Sequence, residues 1–183
     1  IEDIEGSIYS KLVIPDYYDV WAIASKSLAG PGLSPLSWSY NDGVVTNPDG
    51  SSVRNVYGNI FGVNSGRLLS VTTVGSDGAV LKVETSNYVT DQEAAAMPFP
   101  DGFGLHSASD DPSLKVNRPL RTSMASQQGE TFTSHVNTFD AHARPLSVTR
   151  SSSLGSSRIE LTSYHDNLTR WILGQTAKFT AGG

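Results

Sequence analysis

Residues 67–88 decide the fold class: Arg67-Leu-Leu-Ser-Val-Thr-Thr-Val-Gly-Ser-Asp-Gly-Ala-Val-Leu-Lys-Val-Glu-Thr-Ser-Asn-Tyr88. The second half of this stretch alternates in residue type, and the alternation continues to residue 89. One face carries Leu81, Val83, Thr85 and Val89, and the other carries Lys82, Glu84 and Ser86. A period of two is typical of a half-buried strand. Residues 67–74 are also strand-like, and the Gly-Ser-Asp-Gly segment between the two halves suits a tight turn. The stretch therefore predicts a β-hairpin.

Similar signals occur along the rest of the chain. Turn residues lie at 41–43, 47–50 and 128–129, each between segments rich in β-formers. Residues 131–139 and 157–164 have strand composition. A mainly β protein built from antiparallel hairpins follows from this pattern.

Helix signals are few. Residues 91–97 predict one short helix, with Thr90 or Asp91 as its N-cap and Glu93 in its first turn. Two prolines directly after this segment stop the helix. Residues 17–28 fit a strand and a helix equally well.

Composition narrows the class of protein. The chain has 183 residues, 13 basic and 18 acidic side chains, and a net charge of −5. An acidic chain without a basic cluster argues against a nucleic-acid partner. Because there is no Cys, disulfides and thiolate sites are excluded. There is also no apolar run long enough to span a bilayer. The chain opens without an initiator Met or a signal peptide, so we expect an internal fragment of a larger protein.

An internal repeat is visible. The tetrapeptide Leu-Ser-Val-Thr occurs at 69–72 and again at 146–149. Each copy follows an aromatic residue and an arginine: Phe61 and Arg67 precede the first copy, and Phe139 and Arg144 the second. Each copy is also followed by Glu-x-x-x-Tyr, at residues 84–88 and at residues 160–164. A single hairpin is marginal in water, whereas stacked hairpins bury a shared face.

A second spacing agrees with the first. Arg118-Pro-Leu, Arg144-Pro-Leu and Arg170-Trp-Ile start at intervals of 26 residues. A repeating unit of this length holds about one hairpin.

Three segments carry a family resemblance. Phe139-Asp140-Ala-His-Ala-Arg144 resembles the Tyr-Asp-x-x-Gly-Arg signature of the RHS/YD-repeat family, as does Tyr164-His-Asp166-Asn-Leu-Thr-Arg170 with one inserted residue. Phe61-Gly-Val-Asn-Ser-Gly66-Arg67 keeps the Gly-Arg pair, whereas Ala143 and Thr169 replace the glycine in the other copies. The predicted repeat positions are Phe61, Gly66, Arg67, Glu84, Tyr88, Arg118, Phe139, Asp140, Arg144, Glu160, Tyr164, Asp166 and Arg170.

Each motif position has a physical task. The aromatic ends a strand and supplies apolar contact. Asp hydrogen-bonds the backbone two residues on, Gly allows positive φ, and Arg reaches carboxylates or strand-end carbonyls. All four tasks are architectural.

The resemblance implies a wall-building role. In that family the repeats form a long β-sheet that spirals into a hollow shell, which in bacterial members encloses a toxic C-terminal segment. We therefore expect an extended, curved sheet, with repeat hairpins at 36–92 and 118–175 and an irregular insertion at 93–117. The expected setting is a secreted or cell-surface bacterial protein. The expected partners are neighbouring repeats of the same polypeptide and an enclosed C-terminal effector, with self-association through open strand edges.

No motif for catalysis is present, so we expect no catalytic residue, no cofactor and no metal. His106, His135, His142 and His165 are dispersed, and Asp101, Asp110 and Asp111 suit an acidic loop better than a cation site. Asn167-Leu-Thr169 fits the N-glycosylation sequon.

An alternative interpretation is a carbohydrate- or protein-binding β-module. Trp21, Trp38 and Trp171 would then provide exposed aromatic surface. Such aromatic residues more often serve as core or strand-pair residues.

Overall fold

The computed structural model describes residues 23–99 and 116–183. These residues form one antiparallel sheet of 11 strands, each paired with its neighbours in chain order. The strands are β1 (Ser25–Gly30), β2 (Leu33–Asn41), β3 (Val44–Thr46), β4 (Ser52–Tyr57), β5 (Leu68–Val74), β6 (Val80–Tyr88), β7 (Leu120–Gln127), β8 (Glu130–Phe139), β9 (Pro145–Ser152), β10 (Ser157–Asn167) and β11 (Ile172–Gly182). The prediction of a mainly β, hairpin-built protein is confirmed.

The predicted helix is present but shorter than expected. Helix α1 covers Asp91–Ala94, and a single 3₁₀ turn covers Leu168–Arg170. Thr90 is the N-cap of α1 and forms a capping box with Glu93, in which each side chain bonds the other's backbone N–H. The ambiguous segment 17–28 contributes its last residues to β1, and residues 17–22 lie outside the described residues.

Predicted turns close the hairpins as expected. Asp42-Gly43 and Gln128-Gly129 are two-residue turns in which both residues have positive φ, the geometry that matches the twist of adjoining antiparallel strands. In the longer turn after β5, Gly78 has a φ of 82° and its N–H donates to the Gly75 carbonyl. The strands extend beyond the predicted 36–92 and 118–175 segments at both ends, to Ser25 and to Gly182.

The sequence repeat coincides with the strand register. In the β5–β6 hairpin Val71 pairs with Glu84, and in the β9–β10 hairpin Val148 pairs with Glu160. Both valines belong to the Leu-Ser-Val-Thr copies, and both glutamates lie four residues before a tyrosine. The intervening β7–β8 hairpin pairs Thr122 with a histidine four residues before Phe139. Three successive hairpins therefore share one register.

Burial is concentrated in one place. Within the described ranges the buried apolar side chains are Val89, Phe99, Val136 and Phe139, with Ala94, Met97, Ala143 and Val148 packed against them. Phe99 and Phe139 meet edge to face with ring centroids 6.1 Å apart. The connection between β6 and β7 thus folds back over the ends of β8 and β9.

Elsewhere the sheet is a single layer. In the same described ranges 21 large apolar side chains are exposed, spread from β1 to β11. A sheet normally buries at least one face against another layer. Among the described residues no helix is long and apolar enough to cross a membrane.

The sheet is curved. Residues from six consecutive strands, β5 to β10, line one hollow of about 740 Å³. Because six strands of a flat sheet would not surround one open hollow, the strands curl around it. This concave face confirms the predicted extended, curved sheet.

Candidate functional site: arginine–aromatic turns at one end of the sheet

The motif residues lie at one end of the sheet. In an antiparallel meander the turns alternate between the two ends. The connections β4–β5, β6–β7, β8–β9 and β10–β11 therefore share an end, which we call the motif end. An arginine lies one or two residues before each odd strand that starts there: Arg67, Arg118, Arg144 and Arg170. The predicted arginine spacing thus matches the topology.

The β8–β9 turn is fixed by Asp140. Its Oδ1 accepts the backbone N–H groups of His142 and Arg144, both at 2.9 Å. The Arg144 Nε donates to Asp140 Oδ2 at 2.7 Å, which closes the turn with a charge-assisted bond. Ala143, at the glycine position of the motif, has a φ of 58°. The Asp140 carboxylate therefore holds the backbone of this turn.

Arg144 also connects this turn to the next hairpin. Its two terminal nitrogens donate to the two carboxylate oxygens of Asp166 at 2.6 and 2.8 Å. Its Cζ lies 4.3 Å from the centroid of the Tyr164 ring, within cation–π range. The Tyr164 hydroxyl donates to the carbonyl of Pro145 at 3.0 Å. One arginine therefore holds β8, β9 and β10 together.

The charges in this cluster stabilise one another. The bidentate bond from Arg144 lowers the pKa of Asp166. Burial acts to raise the pKa of Asp140, but hydrogen bonds from the Arg144 side chain and two backbone N–H groups lower it on balance. The same carboxylates, Asp166 first, raise the pKa of Arg144. Both aspartates are therefore ionised and paired at neutral pH.

The first repeat copy has the same arrangement. Arg67 Cζ lies 4.8 Å from the Tyr88 ring, and the Tyr88 hydroxyl donates to the carbonyl of Leu68 at 3.1 Å. In both copies the tyrosine bonds the residue immediately after the arginine. Burial, and then the nearby Arg118, lower the pKa of Arg67. Arg67 also donates to the main-chain carbonyl of Arg118.

Arg118 forms the equivalent junction across the long connection. Its side chain is 4% exposed, and its Nε donates to Asp91 Oδ1 at 2.5 Å. Its Nη1 donates to the carbonyls of Gly62 at 2.7 Å and Val116 at 3.3 Å. Sequence reasoning missed Asp91 because 26 residues separate it from Arg118. The sequence signal that could have found it is Tyr88-x-x-Asp91, which resembles the first part of the motif. The long connection separates this part from the arginine that completes the motif.

Other predicted positions differ from expectation. Phe61 does not end a strand; it lies in the β4–β5 connection and is 71% exposed, whereas Tyr57 is the last residue of β4. In the β10–β11 turn the positive φ falls at Trp171 and not at Thr169. Arg170 is exposed and forms no ion pair with any described residue. The motif is thus incomplete in that turn, because its Asp166 binds the preceding arginine.

The remaining motif residues lie in the strands or in the first turn. Glu160 is buried and accepts from Arg150 Nε at 2.8 Å and from Arg158 Nη2 at 2.7 Å. Glu84, in the equivalent place, pairs with Lys82 at 2.9 Å. Gly66 has a φ of 75°, as the glycine position requires.

The other candidate residues are separated. His135 Nδ1 lies 2.8 Å from the Thr122 hydroxyl, and His142 Nε2 lies 3.9 Å from Asp166 Oδ2. Across residues 23–99 and 116–183 no group of three His, Asp or Glu side chains is placed to hold a metal ion. His106, Asp101, Asp110, Asp111 and Trp21 lie outside the described residues.

The two aromatic candidates within the described residues lie in different elements. Trp38 stands in β2 with the Lys26 ammonium 5.4 Å from its ring, and Trp171 is 69% exposed in the β10–β11 turn. His165 is exposed in β10, and the sequon residue Asn167 caps the 3₁₀ turn beside it.

Compared with known proteins, the chain matches no family model, no curated protein and no solved structure.

Proposed function

We propose that the chain is a structural segment of an RHS/YD-type repeat shell, which encloses or displays an effector segment of a larger secreted or cell-surface bacterial protein. One observation carries the proposal: successive hairpins hold an arginine–aromatic motif in one register within a single open sheet. Arg67 with Tyr88 and Arg144 with Tyr164 form the same contacts. Such contacts connect hairpins and do not present reactive groups to a substrate, so the proposed role is not catalytic.

Two further features support the proposal. Among residues 23–99 and 116–183, the outermost strands β1 and β11 each pair with one neighbour, so within this part of the chain each offers a row of unpaired backbone groups. The exposed apolar side chains on the single layer are suited to contact with further protein. In a curved wall, neighbouring repeats would pair with the edge strands, and further protein would cover the exposed apolar side chains.

The decisive test is the size of the native polypeptide. An antibody against this segment should detect, in the envelope or medium of the source cells, a band many times longer than 183 residues. A native product of about this size would contradict the proposal.

The edges give a second test on the isolated chain. Concentration-dependent self-association through β11 is expected in sedimentation velocity. Thr180→Lys places a charge on that edge strand and should reduce the association, because charged edge residues oppose strand pairing. Ser76→Lys adds the same charge in a turn and is the matched control. Equal association of both variants would argue against edge pairing.

A further inference from the structure

The concave face contains an arginine whose hydrogen-bonding capacity is only partly used. Arg150 lines the hollow and uses only its Nε, which donates to Glu160. Its two terminal nitrogens have no hydrogen-bond partner among the described residues, and its side chain is 49% exposed. Two parallel N–H groups on one guanidinium match the geometry of a carboxylate.

The local charge favours an anion. Arg150 and Arg158 share the single buried carboxylate of Glu160, so these three side chains carry a net charge of +1. Glu84 is the other ionised side chain among the described lining residues, and it already pairs with Lys82. A single carboxylate would therefore be attracted, whereas a polyanion would also meet the glutamates.

Around the arginine the wall is apolar and hydroxyl-rich. Phe132 is 48% exposed and Leu154 is 65% exposed, and both line the hollow, with Phe132 on the same face of the sheet as Arg150. Serines surround them, including Ser134, the cross-strand neighbour of Arg150. Apolar contact beside a few fixed polar groups is the usual composition of a binding site, and a volume of about 740 Å³ lies in the usual range.

The length of the hollow selects a peptide. From β5 to β10 it spans five strand spacings, about 24 Å, which is the length of roughly seven extended residues. Of the described residues that line it, Phe132 is the one aromatic, so these residues provide no pair of rings on which a sugar could stack.

From these observations we propose that the concave face binds an extended, mainly apolar peptide that carries one acidic side chain. A Glu or Asp side chain of the peptide accepts both terminal nitrogens of Arg150, and its apolar side chains pack on Phe132 and Leu154. The inference concerns this face alone and does not depend on the chain being part of a shell. Failure of one proposal therefore leaves the other intact.

The test measures, by fluorescence anisotropy, the binding of two labelled hexapeptides to the full chain. The peptides are acetyl-Leu-Ala-Glu-Leu-Ser-Leu-amide and the same peptide with Gln in place of Glu. The Glu peptide should bind about tenfold more tightly than the Gln peptide, as expected for a charge-assisted pair. Arg150→Gln should remove that difference. Arg54→Gln, which deletes an exposed arginine that does not line the hollow, is the matched control and should keep it.

A second variant separates binding from folding. Leu154→Ser removes an exposed apolar contact in a turn and should weaken both peptides by a similar factor, with the Glu preference retained. Circular dichroism melts should show that each variant is folded. The proposal is overturned if neither peptide binds, if Arg150→Gln leaves the Glu preference unchanged, or if an oligothymidine of similar length competes as well as the peptide.

Discussion

Two connections at the motif end perform the same task with very different lengths. The β8–β9 turn uses residues 140–144, whereas the β6–β7 connection uses residues 89–119. Near its end each connection has an arginine that pairs with an aspartate from the start of the same connection. The hairpins that follow have the same register. Register is therefore set by the strands and the arginine junction, and the connection length is free to vary.

The connections differ in what else they contribute. The short turn places Arg144 between two carboxylates, whereas the long connection supplies two of the four buried apolar side chains, Val89 and Phe99. The short turn is stabilised mainly by charge and the long one mainly by packing. This difference can be tested by substitutions.

The largest effect is expected in the long connection. Phe99→Ala removes a buried ring that packs on Phe139 and should lower the free energy of unfolding by about 3 kcal/mol. Urea denaturation gives the value. Phe61→Ala, a 71% exposed ring, is the control and should change stability by about 0.5 kcal/mol or less. If the two variants are equally stable, the long connection does not contribute a core.

Arginine substitutions compare the junctions directly. Arg144→Met leaves Asp140 and Asp166 without their shared cation and should cost about 2–3 kcal/mol. Arg118→Met leaves two carbonyls without a donor, but Asp91 is 60% exposed and returns to water, so about 1–2 kcal/mol is expected. Urea midpoints in parallel check the order. A larger loss for Arg118→Met would show that its burial matters more than its charge partners.

Acid should weaken the short turn. The pKa values of Asp140 and Asp166 are lowered in the folded chain, so their stabilising effect is complete above the unfolded value of about 3.9 and is lost as the pH falls through the folded values. The melting temperature of the wild type should therefore fall steeply as the pH is lowered below about 4. In Arg144→Met the two carboxylates lack their cation and gain from protonation, so the gap to the wild type should narrow in acid. A constant gap would contradict the charge account.

The sequence predicted the β-strands and the hairpin turns well. Alternation and turn residues locate β5, β6, β8 and β10. The two Leu-Ser-Val-Thr copies occupy the same register in their hairpins, because a period of two fixes the face on which each residue lies. The Arg118–Asp91 pair was missed because contacts across a long connection leave no local pattern. Phe61 was assigned to the motif because an aromatic near Gly-Arg matched by spacing, although the strand ends four residues earlier at Tyr57.

The smallest effect concerns the left-handed residue of each motif. Gly66 has a φ of 75° and Ala143 a φ of 58°, so one copy carries the residue that this conformation favours and the other does not. Nothing within 4 Å would meet a Cβ at residue 66, so Gly66→Ala should cost about 1 kcal/mol from backbone strain alone. Ala143→Gly should relieve strain and gain up to about 1 kcal/mol, less the entropy that glycine adds to the unfolded chain. Ala141→Gly, in the same turn but without positive φ, should only lose stability. If Gly66→Ala lowers the urea midpoint and Ala143→Gly raises it, both positions serve one turn geometry. If both substitutions change the midpoint in the same direction, the two turns differ in geometry.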